Sequence, residues 1–461
     1  MVLGRFTVQP SQMLSPGVER AKGCPVPPRW PGTPIDPGNP NLGNYQADVL
    51  LLVLTRMRFL RCRQLAMPGQ GCDGPGGVEG EIAMGLDATL QNSNRPESAD
   101  VPWYPKFLGQ LPPYDNDQHP YLIWNLYRAD TDGYLVQIGR SGLKHAFVTI
   151  NNGCTLGCPP APPANANQVL YPNCSDSYTV ATNDTNQFIG PRSELIPASG
   201  VWGRCGSVFD ADCDGAADTI NHSPYQYRLV VRESEIDPAE HVGARYFQDG
   251  WYVVRDDIDI DNTMGTREIT PSFSLGVWST EFVDANLDNR PIVSRWASEP
   301  LGVGANRLTR TRSAEGELAL AARVEQIGPG QWRYRYVMSN LDYARVSVSG
   351  TNPNIRIDVE RGVSALQIPL LAGTASAIGF RDGDPDRADW SALITAGEVR
   401  WPAPDEMSEL RWGNLLSFGF DSDSPPGFAD ARIELGGSPG PGSIDVRTLV
   451  PGGELLADGF E

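Results

Sequence analysis

Apolar and polar residues alternate with a period of two in segment after segment of this chain. That feature restricts it to folds built from half-buried strands. Leu318, Leu320, Ala322 and Val324 fall on one face of such a segment, and Trp332, Tyr334, Tyr336 and Met338 on one face of another, set against Arg333 and Arg335. Tyr134, Val136 and Ile138 repeat the pattern, as do Tyr225, Tyr227, Leu229 and Val231, the aromatic-rich stretch 246–254, and Ile355, Ile357 and Val359. Successive side chains of a strand point to opposite faces, so alternation marks a strand with one face in a core. The 49 glycines and 40 prolines supply tight turns and work against long helices. The expected fold is mainly β with few helices: a loop-rich β domain followed by an immunoglobulin-like β-sandwich.

A chain of 461 residues has room for two or three domains. Residues 1–75 are basic and rich in proline and glycine, and read as a poorly ordered arm with one short buried segment near 47–60. Residues 76–300 read as the β-rich domain with disulfide and calcium loops, and 301–445 as the sandwich. A glycine- and proline-rich linker at 436–442 leads to a C-terminal tail, 446–461. The apolar run 49–54 is far too short to span a membrane, so no transmembrane segment is expected.

Eight cysteines narrow the compartment. Five of them, Cys154, Cys158, Cys174, Cys205 and Cys213, lie in sequence dense with glycine, proline and asparagine, and none of the eight forms a C-x-x-C pair. Loop cysteines of this kind are disulfide candidates, which implies an oxidising, secreted or cell-surface location; free thiols or metal ligands are the alternative. The start of the chain shows no apolar signal-peptide core. A truncated or misassigned start reconciles the two; a cytoplasmic protein with reduced cysteines is the other reading.

The formal net charge of −19 works against nucleic acid and anionic lipid as partners and favours divalent cations. The sharpest local signal is Asp210-Ala211-Asp212-Cys213-Asp214-Gly215-Ala216-Ala217-Asp218. Calcium takes six to eight oxygens, which alternating carboxylates wrapped around a glycine turn supply. The expected calcium ligands are Asp210, Asp212, Asp214 and Asp218. The spacing resembles the calcium loops of dockerins, thrombospondin type 3 repeats and EF-hand-like proteins, and departs from the EF-hand at the twelfth position, where Asn221 stands in place of glutamate. The plainer alternative is a solvated acidic turn, the reading preferred for Asp256, Asp257, Asp259 and Asp261, and for Asp382-Gly383-Asp384-Pro385-Asp386.

Only four histidines are present. His119 and His145, with Asp176 as a third ligand, make a minimal transition-metal set for copper, zinc or iron; a hydrogen-bonded core histidine is the alternative. No G-x-S-x-G, H-E-x-x-H, Walker loop or haem-attachment motif occurs.

Several phrases occur together: Gln118-His119-Pro120, Asn125-Leu126-Tyr127-Arg128, Val136-Gln137-Ile138-Gly139, Leu143-Lys144-His145, Asn173-Cys174-Ser175-Asp176, Gly190-Pro191-Arg192-Ser193, Trp332-Arg333-Tyr334-Arg335-Tyr336 and Leu410-Arg411-Trp412-Gly413-Asn414. In this order they resemble an uncharacterised family of secreted β-rich bacterial proteins, over residues 100–435. The closing Ala457-Asp458-Gly459-Phe460-Glu461 resembles the end of some exported proteobacterial proteins. The resemblance implies export and supplies no catalytic residue.

Two functional expectations follow. One is a secreted or surface, calcium-stabilised binding or structural protein with a glycan or surface partner. The other is an extracellular metal-dependent enzyme acting on a polymer or small molecule through His119 and His145. Oligomeric state stays open.

Overall fold

The computed structural model describes residues 47–63, 72, 80–93, 101–108, 119–154, 166–255, 257–384 and 388–454. Cys24, Cys158, Asp256 and the segment 455–461 lie outside them, as does most of the expected N-terminal arm. The chain is mainly β, and its α-helices among the described residues are short: Val180–Asn183, Glu233–Ile236 and Ile292–Ala297.

The first unit is a curled antiparallel sheet. Its strands run, in spatial order, Ile189–Gly190, Leu143–His145, Tyr121–Ala129, Arg245–Val253, Met264–Ser274, Val277–Phe282, Arg58–Cys62, Glu81–Gly85 and Leu229–Arg232. Leu135–Arg140 also pairs with Tyr121–Ala129. The curl brings the far strand back towards the start: the Gly142 amide donates to the Tyr227 carbonyl at 2.8 Å. A three-stranded sheet of Val49–Leu54, Ala88–Asn92 and Ser175–Tyr178 shares the core inside the curl with Trp124, Leu126, Met84 and Trp278.

The stretch 47–63, expected as part of an arm, therefore belongs to this unit. Its arginines explain the misleading basic composition. They face acids from other segments: Arg58 pairs with Asp87, Arg61 with Asp184 and Arg63 with Glu81.

The second unit is a β-sandwich of two five-stranded sheets. One runs Gly304–Ser313, Gly316–Gly328, Gln331–Asn340, Asn414–Ser422 and Ala375–Arg381; the other runs Leu393–Thr395, Glu398–Pro402, Val363–Pro369, Pro426–Leu435 and Ser443–Pro451. Leu320, Tyr334, Phe418, Trp401 and Ile433 fill the space between them. Ser443–Pro451 pairs along its whole length with Pro426–Leu435, so the sandwich continues past 445 and the expected linker is a hairpin loop. Arg345–Thr351 and Asn354–Arg361 form a separate two-stranded ribbon. Val359 on that ribbon is exposed, while Ile355 packs on Ile196 and Val201 of the first unit.

A shared core joins the units. The strand Tyr121–Ala129 is buried on both faces: Leu122, Trp124 and Leu126 face the curl, whereas Tyr121, Ile123 and Tyr127 face the sandwich. Along Gly316–Gly328, the large Leu318, Leu320 and Val324 fill the sandwich while the small Ala319 and Ala321 face the first unit. Small residues let the two sheets approach, and Trp251, Trp296 and Trp412 fill the remaining space. A fully buried Val, Leu, Ile, Phe or Met side chain in such a core contributes about 1.5–3 kcal/mol.

Candidate functional site

Two sequence-expected clusters can be followed into the structure, and both sit at the end of the first unit built by 189–228. Three disulfides lie among the described residues: Cys62–Cys72, Cys154–Cys174 and Cys205–Cys213. The last is part of the acidic loop.

That loop begins at a fixed base. The Cys205 amide donates to the Ile355 carbonyl at 3.0 Å, which ties it to the two-stranded ribbon. Arg204, one residue earlier, hydrogen-bonds the Asn354 side chain. From there the chain makes a tight reversal: the Gly206 amide reaches the Asp210 carbonyl at 2.8 Å, and the Asp210 amide returns to the Ser207 carbonyl at 3.2 Å. Cys213 sits at φ +64° and Gly215 at φ +83°. The left-handed region suits glycine and is costly for a side chain such as cysteine. These two positions turn the chain so that carboxylate oxygens of Asp210, Asp212 and Asp214 lie within 4.8 Å of one another.

Among the described residues this is the only group of three or more metal-ligating side chains so gathered. Calcium–oxygen distances are about 2.3–2.6 Å, so ligands of one ion lie no more than about 5 Å apart, and the group fits that limit. Asp210 is fully buried, and burial raises its pKa above the ordinary carboxylate value. Its Oδ2 accepts no hydrogen bond, and the Arg204 guanidinium comes no closer to it than 4.0 Å. Burying a carboxylate oxygen that accepts no hydrogen bond is costly, and a cation would offset that cost. Asp212 and Asp214 are exposed. Asp218 is not in the group: its Oδ2 accepts the Ala211 amide at 2.7 Å, which closes the loop from the other end.

The histidines are brought together as well. His119 Nε2 lies 3.0 Å from His145 Nδ1, and His119 Nδ1 lies 2.7 Å from the Tyr104 carbonyl oxygen. Both rings are buried, in a box of Tyr121, Trp202 and Phe209. Burial, with the Lys106 charge nearby, pushes His119 down to about 3 and lowers His145 well below its ordinary value. Both are therefore neutral near pH 7. Asp176 does not complete the expected metal set, because no third carboxylate or thiolate joins the pair among the described residues. Instead its Oδ1 accepts the Ile150 amide at 2.8 Å, and burial pushes it up to about 6. The physical reason is register: Asp176 lies on Ser175–Tyr178, paired to Ala88–Asn92 in the three-stranded sheet, whereas His145 lies on the curled sheet.

Neighbours that the sequence did not single out complete this region. Lys144 is buried, donates to the His145 carbonyl at 2.7 Å, and lies over the rings of Tyr178, Phe147 and Phe188. Glu194, pushed up to about 8 by burial, accepts the Val208 amide. No sequence signal marks these roles, since the partners come from segments far apart in the chain. The other acidic stretches serve as internal ties: Asp257 accepts the Val49 amide at 3.0 Å, and Asp384 pairs with Arg140 at 3.2 Å.

No protein-family model, curated protein or solved structure matches the chain.

Proposed function

We propose that this is a secreted or cell-surface, β-rich binding or structural protein whose 205–221 loop is held rigid by calcium. The observation that carries the reading is the gathering of the Asp210, Asp212 and Asp214 carboxylates around a buried oxygen that accepts no hydrogen bond. Calcium is favoured over a transition metal because every donor is a hard carboxylate oxygen. The disulfides support an oxidising compartment, and the net charge of −19 supports a partner other than nucleic acid, such as a glycan or a surface protein. No helix among the described residues is long and apolar enough to cross a membrane.

Thermal unfolding with and without EDTA tests this. Calcium at about a hundred times its Kd stabilises a native state by about 2.7 kcal/mol. The melting temperature should therefore fall in EDTA, and Asp212→Ala with Asp214→Ala should abolish the difference. An unchanged melt in chelator removes the proposal.

The second reading, a metal-dependent enzyme with copper, zinc or iron at His119 and His145, draws on their 3.0 Å approach. The donor set fits it poorly. A carbonyl only accepts, so His119 Nδ1 carries its proton to Tyr104, and His119 Nε2 accepts from His145 Nδ1. The one imidazole lone pair left over is that of His145 Nε2, enclosed by aromatic rings.

A further inference from the structure

Cys213 stands between Asp212 and Asp214, so the disulfide to Cys205 is built into the acidic loop rather than beside it. Its two ends differ in character. Cys205 is anchored, through its amide to Ile355 and through neighbouring Arg204 to Asn354. Cys213 is half-buried between the exposed Asp212 and Asp214, adopts φ +64°, and its amide reaches the Asp210 carbonyl within the loop, at 3.4 Å. The covalent ring encloses Ser207 and Asp210, which pair across it as an isolated bridge. The ring thus holds Cys213 in the left-handed turn that places its two neighbours beside Asp210.

Without the bridge, two forces act to open the loop. Like charges on Asp210, Asp212 and Asp214 repel. The left-handed conformation of Cys213 relaxes towards the extended or right-handed regions open to any residue. The buried Asp210 oxygen would remain in place, because the Asp210 backbone is hydrogen-bonded to Gly206 and Ser207, but the two exposed carboxylates would drift away from it. The cation site would lose its pre-organisation while keeping all of its ligand residues.

We propose that the Cys205–Cys213 disulfide is a redox gate on the cation site: calcium binds tightly when the bridge is closed and weakly when it is open. This rests on the calcium reading of the Asp210, Asp212 and Asp214 cluster. Thermodynamic reciprocity supplies the converse: bound calcium makes the same disulfide harder to reduce, by the same factor. The opening step is ordinary thiol–disulfide exchange. A thiolate of an external dithiol attacks one sulfur and expels the other cysteine as a thiolate; the reagent's second thiolate then attacks its own sulfur in the mixed disulfide and expels the first cysteine. The reagent leaves as its cyclic disulfide, and Cys205 and Cys213 each retain a proton and one of the two electrons transferred.

The experiment has two arms. Calorimetric titration with calcium is carried out on the oxidised protein and on a Cys205→Ser, Cys213→Ser variant whose folding is checked by circular dichroism. The variant should bind about tenfold more weakly or worse, within the usual range of site-to-site coupling. In the second arm, the wild-type protein is equilibrated in mixtures of reduced and oxidised dithiothreitol with and without calcium, and the reduced fraction of Cys205 and Cys213 is read by alkylation and peptide mass spectrometry. At saturating calcium the reduced-to-oxidised ratio at Cys205–Cys213 should fall by a similar factor, with Cys62–Cys72 and Cys154–Cys174 as internal controls and Asp212→Asn, Asp214→Asn protein showing no shift. This arm needs no cysteine variant to fold. Absence of calcium binding to the oxidised protein would overturn the calcium reading itself. Equal affinities in the two forms, or an unchanged reduction equilibrium in calcium, would overturn the gate while leaving that reading standing.

Discussion

His119 Nε2 lies 3.0 Å from His145 Nδ1, and the Tyr104 carbonyl sets the direction of the hydrogen bond between them. The carbonyl takes the His119 Nδ1 proton, so the neutral His119 ring must accept at Nε2 and His145 must donate. The arrangement satisfies two neutral rings, and burial disfavours a further proton on either one. It is a packing device for a buried corner, where His145 also meets Trp202 and Phe209 at 5.1 Å between ring centroids.

Removing the His145 ring should therefore act like a core deletion. His145→Ala leaves a cavity and strips His119 Nε2 of its donor, and is expected to cost about 3–5 kcal/mol in urea unfolding, as for other buried rings. Calcium binding to the folded fraction should be unchanged. A cost below about 0.5 kcal/mol would show that the pair is not packed as described.

Acid should weaken the protein through the same pair. His119 titrates near 3 in the folded state and at about 6.5 in an unfolded chain. Between those values the unfolded chain holds a proton that the native ring refuses, so this stability is fully present above pH 6.5 and is lost as pH falls towards 3. The slope is about 1.4 kcal/mol per pH unit for each proton withheld. Glu194 acts in the opposite sense. Burial raises it to about 8, so its neutral form stabilises the fold at low pH and the contribution fades as pH rises through 8. Denaturation curves from pH 7 to pH 4 should show a shallower loss for His119→Gln than for wild type. Equal slopes would contradict the assignment.

The two units should unfold together. Trp412 comes from the sandwich, is 1% exposed, and meets Trp251 of the first unit edge-to-face at 5.8 Å. Its indole N–H donates to the Arg192 carbonyl at 3.2 Å. Trp412→Ala should cost about 3–5 kcal/mol. Calorimetry should show one transition for wild type and a broadened or split one for the variant. Two separate wild-type transitions would mean that the shared core does not couple the units.

Non-reducing peptide mapping should recover Cys62–Cys72, Cys154–Cys174 and Cys205–Cys213 as linked pairs. Alkylation of these six in the native protein without reductant would contradict the pairing and the proposed compartment with it.

Much of the fold could be read from alternation, because both sandwich sheets bury one regular face. Leu318, Leu320 and Val324 fall where their period places them, as do Tyr334, Tyr336 and Met338. The same rule over-reads 225–231. The strand begins only at Leu229, and Tyr227 has φ +62°, so the tyrosine alternation there belongs to a turn. It also does not reveal that Ile355, Ile357 and Val359 form a ribbon outside the sandwich, since period two says which residues share a face and not what covers it. Three of the four loop aspartates come together, because local spacing and two left-handed positions suffice to gather them. Asp176 does not join the histidines, because that would require contact between two sheets, and no local pattern encodes such a contact.

A calcium ion held by the acidic loop should survive purification. Elemental analysis of purified protein, dialysed against buffer with trace calcium, zinc, copper and iron, tests it most directly. Stoichiometric calcium should be found, and should disappear in Asp212→Ala, Asp214→Ala protein, with no stoichiometric transition metal. Calcium-free protein, or zinc, copper or iron that is lost in His119→Ala, His145→Ala protein, would contradict it.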